Sequence, residues 1–255
     1  MSPQAEDPIR IVCISDTHNA QPPIPDGDIL IHAGDLTNAG SASELRQVAE
    51  WLSSLPHLTK LVIGGNHDRG LDAKLRAAKR NPAEDPEIDW SALGIIYLEH
   101  SSAQITVLGR ELRYPQAHLS PERARAVWED IPLDTDILIT HGPPIHHLDM
   151  TRGSKSAGCP ALLDKIRRVQ PILHVFGHIH ESRGIETVDW GFKQRMKHAW
   201  VESDKKTLGA VSRFARLTWD NRLNGSRRPT ILVNAAIQPP YCVGDSLNEA
   251  QVVVI

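Results

Sequence analysis

The sequence predicts an α/β domain, and two observations carry that expectation. Short, continuous runs rich in Ile, Val and Leu recur along the chain, with stretches of helical character between them. Runs this short that do not alternate suit strands buried on both faces, and strands alternating with helices build a layered α/β domain. A third observation bears on function: several of the runs end in a cluster of polar, chemically capable residues. Beyond the carboxyl ends of strands is where ligands gather in open α/β sheets.

Taken in order, IRIVCIS (9–15) runs into Asp16-Thr17-His18, and DILIHAG (28–34) runs into Asp35. Ser41 and Glu44 then form an S-x-x-E capping box, with Leu45, Val48, Leu52 and Leu55 on one face of the helix it opens. KLVIGG (60–65) leads to Asn66-His67-Asp68, the two glycines allowing the strand to end in a sharp turn. Residues 121–128 have helical composition. DILIT (136–140) ends at His141-Gly142, and Pro160 suits a first helical position ahead of Leu162, Leu163 and Ile166. PILHVFG (171–177) reaches His178-Ile179-His180, and PTILVNA (229–235) ends near Asn234. The stretch from about 186 to 228, richer in Lys, Arg and Trp, is expected to be a helical insertion whose basic residues form a solvated face. With residues 1–8 as a tail, 9–255 read as one domain.

Bulk properties exclude several classes. A net charge of −3 and a pI near 6.5 give no electrostatic footprint for nucleic acid or an anionic membrane. No apolar run approaches the roughly 20 residues that span a bilayer, and MSPQAEDPIR lacks the basic-then-apolar order of a secretory signal. Three scattered cysteines are too few for a disulfide framework or a thiolate zinc site, so a reducing compartment, the cytoplasm, is expected. There is no G-x-S-x-G elbow, Walker A loop or dinucleotide fingerprint.

The strand-end residues Asp16, His18, Asp35, Asn66, His67, His141, His178 and His180 form a set of carboxylates, an amide and imidazoles without thiolate. Such donors suit Mn, Fe, Zn or Ni. In an extended chain, residues i and i+2 project to one side, so Asp16 with His18, and His178 with His180, can share an ion or serve two neighbouring ones. Two ions about 3.5–4 Å apart clamp the attacking and leaving oxygens of a displacement at phosphorus.

In order along the chain, D-x-H, G-D, G-N-H-D, H-G-P and G-H-x-H resemble the motifs of the calcineurin-like metallophosphoesterase superfamily. LIHAGDLT, THGPPIHHLD and VFGHIHE are similar to its small metallophosphoesterase-domain-containing branch. The resemblance covers most of residues 9–181 and the strand at 230–235. It implies a four-layer αββα fold, with two mixed sheets face to face and helices outside. It implies two divalent ions, Mn favoured, with Asp16, His18 and His180 on one, Asn66, His141 and His178 on the other, and Asp35 bridging. It further implies a dinuclear metal-dependent phosphoester hydrolase in which a shared hydroxide attacks phosphorus. His67 would stabilise the phosphoryl oxygens or protonate the leaving group, and Asp68 would orient its ring and raise its pKa. A small phosphodiester such as a cyclic nucleotide is the expected substrate, with a phosphomonoester as the alternative. A metal-stabilised interaction module of little turnover, using 186–228 as a partner surface, is the alternative from another class. Arg152 and Lys155 are candidates to meet a substrate phosphate; His32 and His174 read as packing or supporting residues, His146 and His147 as loop residues, and Cys159 as a helix start. Residues 109–122 look shortened relative to the branch, which bears on the pocket rim, and the oligomeric state stays open.

Overall fold

The computed structural model of the protein describes residues 7–72, 88–99, 101–108, 110–115, 128–190, 229–240 and 246–255. The elements are β1 (Arg10–Ile14), β2 (Ile29–Ala33), α1 (Ala42–Ser54), β3 (Thr59–Ile63), β4 (Ile96–Leu98), β5 (Ser102–Val107) and β6 (Arg110–Pro115). There follow β7 (Ile137–Ile139), α2 (Pro160–Val169), β8 (Leu173–Phe176), β9 (Gly184–Val188), β10 (Thr230–Asn234) and β11 (Gln251–Val254).

Two mixed sheets form the centre. The first has the order β11-β1-β2-β3-β4 and is parallel except for β11, which runs antiparallel to β1. The second has the order β7-β8-β10-β9, parallel except for β9 against β10. Side chains alternate between faces along a strand, and the packing follows that rule. Ile11, Cys13, Ile29, Ile31, Leu61 and Ile63 meet Ile137, Ile139, Leu173, Val175 and Val233 in one core between the sheets. The intervening Val12, Ile14, Leu30 and Val62 turn outward to Leu45, Val48 and Leu52 of α1. On the far side, Leu138, Phe176 and Leu232 pack on Leu162, Leu163 and Ile166 of α2. Both faces of each sheet are therefore apolar, which is why the strands read as continuous runs. The result is the four-layer αββα arrangement.

The helix signals act as the sequence indicates. Ser41 caps α1, its hydroxyl accepting from the Glu44 amide while the Glu44 carboxylate accepts from the Ser41 amide at 2.9 Å. Pro160 occupies the first turn of α2, with Cys159 as its N-cap residue. Trp128, the end of the helix expected over 121–128, is buried and donates its indole N–H to Cys159 Sγ at 3.3 Å; residues 121–127 lie outside the described residues. Among the described residues no helix is long and apolar enough to cross a membrane.

Five strands go beyond the six runs. β4 is three residues long, and β5 and β6 pair only with each other and mix polar with apolar residues. β11 is an edge strand, held because β1 offers it a free side. β9 corrects the expected start of the insertion: residues 186–188 belong to the second sheet, with Glu186 opposite Leu232. Residues 191–228 of that insertion, and 109 and 116–122 of the shortened segment, lie outside the described residues; 110–115 of the latter form β6.

His32 on β2 and His174 on β8 are both fully buried, and burial pushes each imidazole pKa down from its usual value to about 3. Both rings stay neutral in the fold while an unfolded histidine gains a proton below about pH 6.5. A depressed folded pKa means that the unfolded state binds more protons as pH falls, so stability is lost in that direction. We expect each ring to cost about 2 kcal/mol between pH 7.5 and pH 5 in urea unfolding of the metal-free protein. His174→Gln should remove one such increment of the pH dependence; an unchanged slope would contradict the assignment.

Candidate metal centre

The polar clusters meet where the two sheets come together at their carboxyl ends. Ser15, one residue beyond β1, donates its amide to Ala235 O at 2.9 Å and receives the Ile237 amide on its carbonyl at 2.8 Å. That bridge draws the end of β10 across to the end of β1. On the same side, the Asp16 amide donates to Gly34 O and the Gly177 amide to His141 O, both at 2.9 Å.

Three donor groups result, each with its ligand atoms within 4.8 Å of one another: Asp16 with His18 and His180; His18 with Asp35 and His67; Asp35 with His141 and His178. Asp35 belongs to two of the three. Its Oδ2 lies 3.3 Å from His141 Nε2 and 3.8 Å from His18 Nε2. Asn66 joins the last group, with Oδ1 3.0 Å from His141 Nε2. All seven residues expected to hold metal are thus brought together, and His67 stands beside them, its ring centroid 4.8 Å from that of His18.

The route to convergence differs from the one that the extended-chain argument supplies. Asp16, His18, Asp35 and His178 all have positive φ, at 53°, 45°, 52° and 69°. These residues leave the strands through left-handed turns, a conformation that costs a non-glycine residue energy and persists where the surroundings enforce it. Glycines make room for this crowding. A Cβ at Gly65 would collide with the Asp35 carboxylate, and one at Gly177 with that of Asp16.

Imidazole tautomers are set by backbone carbonyls. The Nδ1 atoms of His18, His67 and His141 lie 3.2, 2.7 and 3.0 Å from the carbonyl oxygens of Thr37, Asn38 and Ala33, and His180 bonds the Pro239 carbonyl. Carbonyls only accept, so the rings of His18, His67 and His141 donate from Nδ1 and, when neutral, carry the lone pair on Nε2. His141 Nε2 then faces the side-chain oxygens of Asn66, at 3.0 Å, and Asp35, at 3.3 Å. Such a set of converging lone pairs fits a cation, and protons are the substitute. Burial opposes charge on His141, but the Asp35 hydrogen bond and charge outweigh it and raise its pKa to about 9. Burial likewise works against His180, and Asp16 overcomes it. Burial pushes both carboxylates up, yet His180 and His141 hold Asp16 and Asp35 below the usual carboxylate range.

Asp68 does not act on the His67 ring as expected. Its buried carboxylate accepts from the amides of Gly65 (2.8 Å), Leu36 (3.0 Å) and Thr37 (2.9 Å) and from the Thr37 hydroxyl (2.7 Å). It knots the loop after β3 to the loop after β2, while the Asn38 carbonyl orients His67. Arg152 and Lys155 are exposed on the loop after β7, where the Thr151 amide donates to Lys155 O at 2.9 Å. His147 is buried, 3.1 Å from the Glu186 carboxylate. Sequence reasoning missed Thr37 and Asn38, and it placed Glu44 in the capping box without its second role: the same carboxylate accepts from Asn19 Nδ2 at 2.7 Å, tying α1 to the Asp16–His18 loop. We expect Asp68→Ala to destabilise the metal-free protein by about 3 kcal/mol, because four donors lose a charged acceptor. Full stability with reduced turnover alone would instead restore the ring-orienting role.

The model of the calcineurin-like phosphoesterase family matches residues 9–182. The chain is 41% identical over 245 residues to a probable rhamnogalacturonate lyase C of Emericella nidulans, covering 89% of this chain and 23% of that protein. It is 37% identical over 190 residues to UPF0046 protein K07C11.7 of Caenorhabditis elegans, covering 69% of this chain and 65% of the relative. It is 39% identical over 207 residues to metallophosphoesterase domain-containing protein 1 of Homo sapiens, covering 69% and 62%. The chain therefore spans less than two thirds of the length of these three relatives. With the family model matched over residues 9–182, well over half of its length, the chain belongs to the calcineurin-like phosphoesterase family.

Proposed function

We propose that the protein is a dinuclear metal-dependent phosphoesterase acting on a small phosphodiester, such as a cyclic nucleotide, with Mn as the favoured ion. The observation that carries this reading is the position of Asp35, one carboxylate shared by two donor groups. Asp16, His18 and His180 would hold one ion, Asn66, His141 and His178 the other, and Asp35 both. Bound there, the ions would supply positive charge that lowers the pKa of coordinated water and offsets charge on phosphoryl oxygens. The diester preference rests on likeness to the small metallophosphoesterase-domain branch. A reducing location such as the cytoplasm suits the free thiols of Cys13 and Cys159.

The chain's own residues support this chemistry in separate ways. His67 is exposed at the site and bonded to Asn38 through Nδ1, so Nε2 is the atom left to act. Protonated there, it donates to a phosphoryl oxygen or hands its proton to the departing alkoxide. The His67 amide also donates to Asp35 Oδ1 at 2.9 Å, so the same turn steadies the bridging carboxylate and presents the acid.

With Mn²⁺, the wild type should cleave bis-(p-nitrophenyl) phosphate faster than p-nitrophenyl phosphate, and Asp35→Ala should fall to background. His67→Ala should bind metal normally but lose about 10²- to 10⁴-fold in kcat, whereas Asn66→Ala should weaken one ion. A wild type with metal bound that is no faster than Asp35→Ala would falsify the hydrolase reading. Comparable rates on the two substrates would remove the diester preference.

A further inference from the structure

Two buried histidines outside the ligand set occupy matching places in the two sheets. His32 on β2 and His174 on β8 are both 0% exposed. Each lies two residues from a side chain that packs toward the helical layer, Leu30 in one sheet and Phe176 in the other. Alternation along the strand therefore points both rings away from the inter-sheet core. His32 Nε2 lies 2.9 Å from Thr17 Oγ1, and that hydroxyl lies 3.3 Å from Leu36 O. His174 Nε2 lies 2.8 Å from Thr140 Oγ1, which lies 2.8 Å from Gly142 O.

Proton logic fixes the direction of both chains. A carbonyl oxygen only accepts, so each threonine directs its single hydroxyl proton to the carbonyl, and each histidine donates Nε2–H to the threonine oxygen. Nδ1 of both rings is buried with no hydrogen-bond partner, as the Nε2–H tautomer leaves it. Leaving that nitrogen unpaired in the core carries a cost, and an apolar side chain of the same size would avoid it. What is gained lies at the far end of each chain. Thr17 stands between Asp16 and His18, and Leu36 follows Asp35; Thr140 and Gly142 flank His141. In the first case the backbone so held is left-handed at Asp16, His18 and Asp35.

We propose that His32 and His174 are positioning residues, each fixing one half of the metal centre through a threonine hydroxyl. The His32–Thr17 pair serves the half built on Asp16 and His18, and the His174–Thr140 pair serves the half built on His141. This rests on the dinuclear reading above and adds to it a division of labour between the sheets. Neither ring touches an ion or substrate; each stops a threonine from rotating, and the threonine pins the peptide beside a ligand.

The test is Mn²⁺ titration by calorimetry on the wild type and on His32→Phe, Thr17→Val, His174→Phe and Thr140→Val, with urea unfolding of the metal-free forms alongside. Thr→Val keeps the volume and removes only the hydroxyl, so it stays informative where a Phe variant fails to fold. His32→Phe and Thr17→Val should weaken one of the two ions roughly tenfold and leave the other little changed, and His174→Phe and Thr140→Val should weaken the other one. His32→Gln and His174→Gln, which restore a donor near the Nε2 position, should recover most of the affinity. A merely structural role would lower stability and weaken both ions together, and that result overturns the proposal, as does unchanged affinity in all four variants. Failure of the wild type to bind two ions would overturn the dinuclear reading itself, and this inference with it.

Discussion

Two carboxylates, Asp16 and Asp35, are buried at 0% and 3% exposure where the ends of the two sheets meet, and much of the architecture answers to them. A buried anion costs several kcal/mol unless it is paired and hydrogen-bonded. Asp16 is met by the His178 amide at 3.0 Å and by His180 Nε2 at 3.2 Å, and Asp35 by the His67 amide and by His141. Each compensation reaches across from another strand. The charges that ready the site for cations therefore also join the loops that carry it, and that joining is what lets separate loops hold one centre.

Around this centre the loops are tied by groups that do no chemistry. Asp68 closes the loop after β3 onto the loop after β2, and Glu44 attaches the first turn of α1 to Asn19. Asn234 donates to the carbonyls of Leu148 and Ile179 at 3.2 and 2.8 Å, which fastens the loop after β7 to the turn bearing His178 and His180. The bonds of Asp68 and Asn234 run between buried side chains and backbone, the kind that holds irregular segments where no ladder can, and Glu44–Asn19 adds a link between two side chains. The left-handed residues can then persist, since relaxing any one of them would break bonds made by its neighbours.

The layered fold was legible because strands buried on both faces leave an uninterrupted apolar run, and α1 and α2 because a capping box and a first-turn proline have local physical causes. β5, β6 and β11 were not legible: a hairpin of mixed polarity and an edge strand depend on which partner is within reach. At the site, residue type and strand-end position picked out the seven residues that the fold brings together, since donor chemistry and strand ends are both local. Asp68 shows where that stops. Adjacency in sequence pairs it with His67, but the turn sends its carboxylate inward to Leu36 and Thr37, some thirty residues away in the chain.

By itself, then, the sequence determined the layer pattern, the two helix starts and the inventory of candidate donor atoms, because hydrophobic run length, capping and donor type belong to residues and their immediate neighbours. Tertiary structure alone decided how those atoms converge. The left-handed turns, the contact of Gly65 with Asp35 and of Gly177 with Asp16, the carbonyl that selects each imidazole tautomer, and the threonines placed beneath His32 and His174 all arise between segments distant in the chain. Their physical basis is the meeting of two sheets, which forces buried charges and crowded backbone to satisfy one another across the junction.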